Sequence, residues 1–125
     1  MSYLYKIFVF ICVICTASCT AQNNANVLTV QQFAEKLKTN PDVQLIDVRT
    51  PDECANGMIA RAKNINWNSS DFEAQILALD KQKPVFVYCA KGGRSHAAQE
   101  KLTALGFKEV YDLKGGFSAW KKEAE

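Results

Sequence analysis

Histidine is nearly missing from this chain: His96 is the single one among 125 residues. Cysteine is scarce where it would count. Five are encoded, but Cys12, Cys15 and Cys19 sit in the N-terminal segment, leaving Cys54 and Cys89 for the rest. Two cysteines make no disulfide framework, and with one histidine they fall short of the about four ligands a zinc site draws on. A Cys-His dyad is equally ill supplied, and His96 reads as an exposed helix residue rather than a general base. Charge of one sign is lacking too, since 15 Lys and Arg face 13 Asp and Glu for a formal net charge of +2. The basic residues are scattered, with Lys121-Lys122 a solvated helix end, so nothing suggests a nucleic-acid partner. There is no internal repeat and no low-complexity tract. The length suffices for one domain with a real core and not for two.

The apolar run Ile7-Phe8-Val9-Phe10-Ile11-Cys12-Val13-Ile14, preceded by Lys6, is too short for a comfortable membrane span and suits the core of a signal peptide. It leads into Thr16-Ala17-Ser18-Cys19, which resembles a bacterial lipoprotein box with Thr16 where an aliphatic residue is usual. The expected division is a lipoprotein-type signal peptide over 1–18, lipidation at Cys19, a polar tether over 19–26 and a folded domain over 27–125. Plain secretion with cleavage near Ala21 and an uncleaved anchor are the alternatives. Each places the domain outside the cytoplasm. The expected location is periplasmic, with membrane contact only through the lipid anchor.

Within the domain, Thr29-Val30-Gln31-Gln32 reads as a capping box opening a helix whose buried stripe is Phe33, Ala34 and Leu37, stopped by Asn40-Pro41-Asp42. Val43 to Val48 is an apolar run of strand length. Thr50-Pro51-Asp52-Glu53 combines a cap, proline at the first helical position and an acid at the third, with Gly57 able to end the short helix. Ala62 to Asn66 predicts a short strand or extended loop. Ser70-Asp71-Phe72-Glu73 predicts a third capping box, with its helix running through Leu77 and Leu79. Pro84 introduces a strand over Val85 to Tyr88, and a helix carrying Ala97, Ala98, Leu102 and Leu105 runs to Gly106. Val110-Tyr111 is a last short strand, followed by a helix over Phe117 to Lys122 in which Phe117 and Trp120 pack as core. Short apolar strands alternating with amphipathic helices predict an α/β domain with a mostly parallel sheet. Ligands of such sheets bind beyond the carboxyl ends of the strands, where Cys89 falls.

Cys89 opens the loop Ala90-Lys91-Gly92-Gly93-Arg94-Ser95. Glycines let such a loop turn successive backbone N–H groups inward at the start of a helix, which makes a concave anion site. A cysteine in that field shifts toward thiolate, the nucleophilic form. Arg94 supplies positive charge or fixes the loop, and Lys91 projects where it can attract an anion.

The Cys89–Ser95 loop resembles the active-site loop of the rhodanese family of sulfurtransferases. Leu45-Ile46-Asp47-Val48-Arg49-Thr50-Pro51-Asp52-Glu53 with Gly57-Met58-Ile59, and Val110-Tyr111-Asp112-Leu113-Lys114-Gly115-Gly116-Phe117-Ser118-Ala119-Trp120, resemble two further family segments in the family's order. The resemblance implies a central five-stranded parallel sheet flanked by helices. It also implies transfer of sulfane sulfur from a small anionic donor such as thiosulfate, through a Cys89 persulfide, to cyanide, a thiol or a protein acceptor. Cys89 and Arg94 would be catalytic, and Ala90, Lys91, Gly92, Gly93 and Ser95 would bind substrate. Asp47 and Arg49 would be structural support, with no metal or organic cofactor. Cys54, where the family often has an aromatic, would be a resolving thiol if it reached Cys89. Gly57-Met58-Ile59 and Ala60-Arg61-Ala62 depart from the family's G-H-I and P-G-A, which bears on acceptor preference. Three rival readings remain open: a non-catalytic binding module, a dedicated persulfide carrier, and a cysteine phosphatase, whose Cys-to-Arg loop is one residue longer than this one.

Overall fold

Every residue of Val85–Tyr88 is buried, which puts this strand in the middle of a sheet covered on both faces. The computed structural model describes residues 26–124. The expected signal peptide, the lipidation at Cys19 and nearly all of the tether lie outside the described residues. In chain order the elements are β1 (Val27–Leu28), α1 (Val30–Thr39), β2 (Gln44–Asp47), α2 (Pro51–Ala55), β3 (Lys63–Asn64), α3 (Phe72–Leu77), β4 (Val85–Tyr88), α4 (Gly93–Ala104), β5 (Val110–Leu113) and α5 (Gly116–Glu123). The sheet order is β1-β5-β4-β2-β3, and all four pairings are parallel. The expected α/β architecture is thus present, with a sheet that is wholly rather than mostly parallel.

Alternation along β4 sorts the core into two layers. Val85, Val87 and Cys89 pack with Ile46, Ile76, Ala98 and Leu102 on the α3 and α4 side. Phe86 and Tyr88 pack with Phe33, Leu37, Leu113 and Phe117 on the α1 and α5 side. There the Phe33 and Phe86 rings meet edge to face at 5.2 Å. The chain steps outward from β2 to β3 and then returns to β4 on the other side of β2. The carboxyl ends of β2 and β4 therefore flank a topological switch point, and Asp47 to Arg49 and Cys89 emerge side by side.

Two of the three expected capping boxes form. Thr29 and Gln32 exchange backbone and side-chain bonds at 3.2 and 3.0 Å, and Thr50 and Glu53 do so at 3.3 Å each, with Pro51 opening the helix. The third does not. Asn66 and Ser69 close a turn upstream, so α3 starts only at Phe72 behind Asp71, and the Asp71 carboxylate accepts from the Ser69 hydroxyl and from Gln75 instead of capping. A tight turn after Leu77 ends the helix early. Leu79 donates its N–H to Ile76 O at 3.0 Å and packs on the core from outside the helix. Strand β1 was absent from the sequence reading because two residues display no periodicity.

Candidate active site

Cys89 follows β4 directly and is 2% exposed. What bends the next residues into a ring is the start of α5. Phe117 N–H donates to Cys89 O at 2.8 Å and Ser118 N–H to Ala90 O at 3.1 Å. With those carbonyls drawn outward, the N–H groups of Lys91, Gly92 and Ser95 turn onto the Cys89 sulfur. The Gly92 nitrogen is 3.0 Å from Sγ, a path that needs φ of +123° at Gly92 and so favours glycine. The Ser95 hydroxyl adds a contact at 3.4 Å, and the ring opens the twelve-residue helix α4, whose positive end lies behind the sulfur. Burial alone would push the Cys89 thiol up. The Ser95 hydroxyl and the three N–H groups outweigh it and hold the thiol below its ordinary value. The arrangement stabilises an anionic sulfur in a buried position.

Arg94 does not stand free. Its Nη1 and Nη2 donate to Glu53 Oε1 and Oε2 at 2.7 and 2.9 Å, a bidentate clamp that ties the loop to α2. Glu53 thus serves the Thr50 cap and the loop at once. Arg94 first, and then the Thr50 donors against a burial cost, hold its carboxyl down at about 2. Sequence reasoning saw only the cap, because nothing in the spacing brings residue 53 to residue 94. Glu53→Gln retains the cap geometry and removes the charge opposite Arg94. Because both partners are about one-third exposed, the expected stability loss is under about 1 kcal/mol, while the loop loosens and reactivity at Cys89 falls several-fold. The charge contribution to stability is full above the unfolded-state value of 4.5 and disappears as pH falls through about 2. Urea melts of wild type and variant at a series of pH values are expected to converge at the acid end.

Asp47 and Arg49 form a buried pair with Nη2–Oδ2 at 2.7 Å. Arg49 Nη2 also donates to Gly57 O at 2.7 Å, and the guanidinium lies 4.2 Å over the Phe117 ring. Asn64 Nδ2 donates to the carbonyls of Asp47 and Arg49 at 2.9 and 2.8 Å. The pair fastens the end of β2 to the turn at Gly57 and to α5 rather than reaching the sulfur.

Cys54 is half-buried and free of any disulfide. Burial, and next the Asp47 carboxylate, push its thiol up to about 11, so it lacks the thiolate a resolving role needs at neutral pH. His96 is half-buried in the first turn of α4, 3.4 Å from Glu100, rather than fully exposed as its sequence position suggests. Lys91 borders a shallow hollow with Gly115, Ser118, Lys122 and Glu123, a rim of mixed charge beside the ring. Phe117 is buried, and Trp120 packs edge-on against Phe33 at 6.3 Å. Among the described residues no three of His, Cys, Asp and Glu group as a metal would need. The sequence assigns no role to Asp112, a buried carboxyl on β5 whose ionisation the Ser95 hydroxyl influences. Its only sequence signal is a charge inside an apolar strand.

A profile of the Rhodanese-like domain family matches residues 29–123. A thiosulfate sulfurtransferase GlpE from Coxiella burnetii is 38% identical over 88 residues, covering 70% of this chain and 80% of that protein. A sulfurtransferase from Allochromatium vinosum is 33% identical over 95 residues, 76% of this chain and 87% of the relative. Among solved structures, a rhodanese-related protein from Thermoplasma volcanium superposes with a TM-score of 0.69 at 33% identity, covering 78% of this chain and 92% of the other.

Proposed function

The chain belongs to the Rhodanese-like domain family, and from that membership we propose that it transfers sulfane sulfur from a small anionic donor such as thiosulfate through a persulfide on Cys89. The observation that carries this reading is the sulfur itself, buried at 2% exposure yet ringed by the N–H groups of Lys91, Gly92 and Ser95. A structural cysteine has no use for such a ring. The Cys89 thiolate attacks the outer sulfur of the donor, the donor's S–S bond breaks, and sulfite leaves with the electron pair. The terminal persulfide sulfur is anionic and inherits the N–H ring as its stabiliser. An acceptor nucleophile (cyanide, a thiol or a protein thiol) then attacks that sulfur, and Cys89 departs as thiolate, ready for another cycle. Lys91, projecting from the loop, favours approach of an anion, with Lys122 and Glu123 of α5 lining the same hollow. In this reading the domain works outside the cytoplasm, tethered through a lipid on Cys19.

The loop length speaks against phosphoryl transfer. Four residues separate Cys89 from Arg94, and Arg94 is spent on Glu53 rather than free to hold a phosphate.

The test weighs the reduced full chain after exposure to thiosulfate and then adds cyanide. The expected result is a gain of one sulfur atom on the Cys89 peptide and its release as thiocyanate. Uptake without turnover would replace the enzyme with a carrier that needs a dedicated acceptor. Neither signal from folded protein would leave a binding module, and phosphatase activity dependent on Cys89 would overturn the sulfur chemistry.

A further inference from the structure

Asp112 is a buried ionisable group that the sulfur chemistry above does not use. It is 3% exposed and shares a strand face with Val110, which packs against Ala98 and Leu102 of α4. From α4, Ser95 and Gln99 (one turn further on) are buried toward the same strand, and Gln99 Nε2 donates to Val110 O at 2.9 Å. This seam is short of protons. Ser95 has one hydroxyl proton and two acceptors in hydrogen-bond reach, Cys89 Sγ at 3.4 Å and Gly92 O at 3.2 Å, and the Asp112 carboxyl is close enough for the hydroxyl to pull on its ionisation. Gly92 O is already served by the His96 N–H at 3.0 Å. Asp112 Oδ1 and Gln99 Oε1 are both buried with no hydrogen-bond partner among the described residues. A proton on Asp112 adds the donor the seam lacks, whereas a carboxylate there would be a poorly solvated charge beside a thiolate.

We propose that Asp112 is a positioning residue for the Cys89 sulfur: as a neutral acid it donates to Ser95 Oγ, which leaves the Ser95 hydroxyl proton to Sγ. The proposal rests on Cys89 being the reacting sulfur. Burial, the largest influence, pushes the Asp112 carboxyl up to about 6 against the opposing pull of Ser95. The titratable groups that face it are His96 from α4, whose positive charge would draw it down, and Cys89, two residues beyond its β4 register partner Val87. Strand β1 offers only Val27 at this register. Once ionised, Asp112 competes for the Ser95 proton and sets a second negative charge near the sulfur. The device therefore favours the thiolate most on the acid side of neutrality, where an ordinary thiol is inert.

The test is the rate of iodoacetamide alkylation of Cys89 in the reduced full chain, followed on its own peptide by mass spectrometry from about pH 4 to pH 9. This readout needs no sulfur donor, so it fails or succeeds independently of sulfur transfer. Wild type is expected to follow two coupled ionisations. Asp112→Asn retains a donor to Ser95 and carries no charge. It is expected to follow one ionisation, with a midpoint lower by about one pH unit. In a Ser95→Ala background that shift is expected to shrink by about half or more, the part carried through the hydroxyl. An Asp112→Asn midpoint equal to or above wild type, or an undiminished shift without Ser95, overturns the proposal. If the variant does not fold, the wild-type profile decides, because a single ionisation there overturns it too.

Discussion

Cys89→Ser is expected to fold as wild type does and to move no sulfur. The substitution exchanges one atom at a site that is 2% exposed, and a serine hydroxyl accepts the same Gly92 N–H that now lies 3.0 Å from Sγ. The cost in stability is expected to stay within about 2 kcal/mol. Chemistry is another matter. The ring of N–H groups lowers the ionisation of a thiol that starts at 9.0, but no such ring brings an alcohol to its alkoxide near neutrality. The persulfide has no oxygen counterpart that would accept and release sulfane sulfur in its place. Loss of a covalent nucleophile costs on the order of 10⁴-fold or more, so thiocyanate production is expected to fall to the uncatalysed rate. The check is a pair of measurements on one preparation: a urea melt near wild type, and no sulfur gained after thiosulfate. A variant that still turned over thiosulfate would place the nucleophile elsewhere, with Cys54 the next thiol to interrogate.

Much of this site was legible in the sequence because its parts are local. The Gly92-Gly93 turn, the arginine and the helix start lie within seven residues of Cys89, so their joint meaning as an anion ring needed no tertiary information. The same holds for Asp47 and Arg49, two apart and salt-bridged to each other. Glu53 and Asp112 were not legible. Each acts through a residue far along the chain, Glu53 on Arg94 and Asp112 on Ser95, and only the sheet order brings them there. The sequence offered Glu53 a complete local role as a cap, and Asp112 none at all. The failed box at Ser70 has the opposite origin. Its pattern was right, but an upstream turn closed by Asn66 and Ser69 set the entry of the chain into α3. Local signals thus predicted what the loop is, and missed what holds it still.

Gly116→Ala is expected to disable the site from behind. Gly115 and Gly116 take φ of +78° and +61° in succession, turning the chain from β5 into α5 within two residues. A Cβ on Gly116 would fall 2.5 Å from Cys89 O and 2.6 Å from the carbonyl carbon and oxygen of Ala90. Those are backbone atoms, so no rotamer relieves the clash. Relief requires moving α5 off the loop, which breaks the bonds from Phe117 and Ser118 that draw the Cys89 and Ala90 carbonyls outward. Left-handed strain of about 1–2 kcal/mol adds to an overpacking cost of about 1–3 kcal/mol, for an expected loss near about 3 kcal/mol. The sulfur loses more than stability. With the carbonyls released, the N–H groups of Lys91 and Gly92 no longer converge, and sulfur loading of Cys89 is expected to slow by about 10²-fold, the scale of losing preorganised donors. Gly93→Ala is the control. The family resemblance places Gly93 among the substrate-binding residues, but the N–H groups that act on the sulfur are those of Lys91, Gly92 and Ser95. A Cβ added at Gly93 meets nothing within 4 Å and its φ is not left-handed; a helix start tolerates alanine, so stability and loading are expected to hold. Urea unfolding and the loading rate, measured on both variants, separate the two positions. If Gly116→Ala matched Gly93→Ala in both, the ring would be held by the loop's own sequence, and the docking of α5 would be incidental to the chemistry.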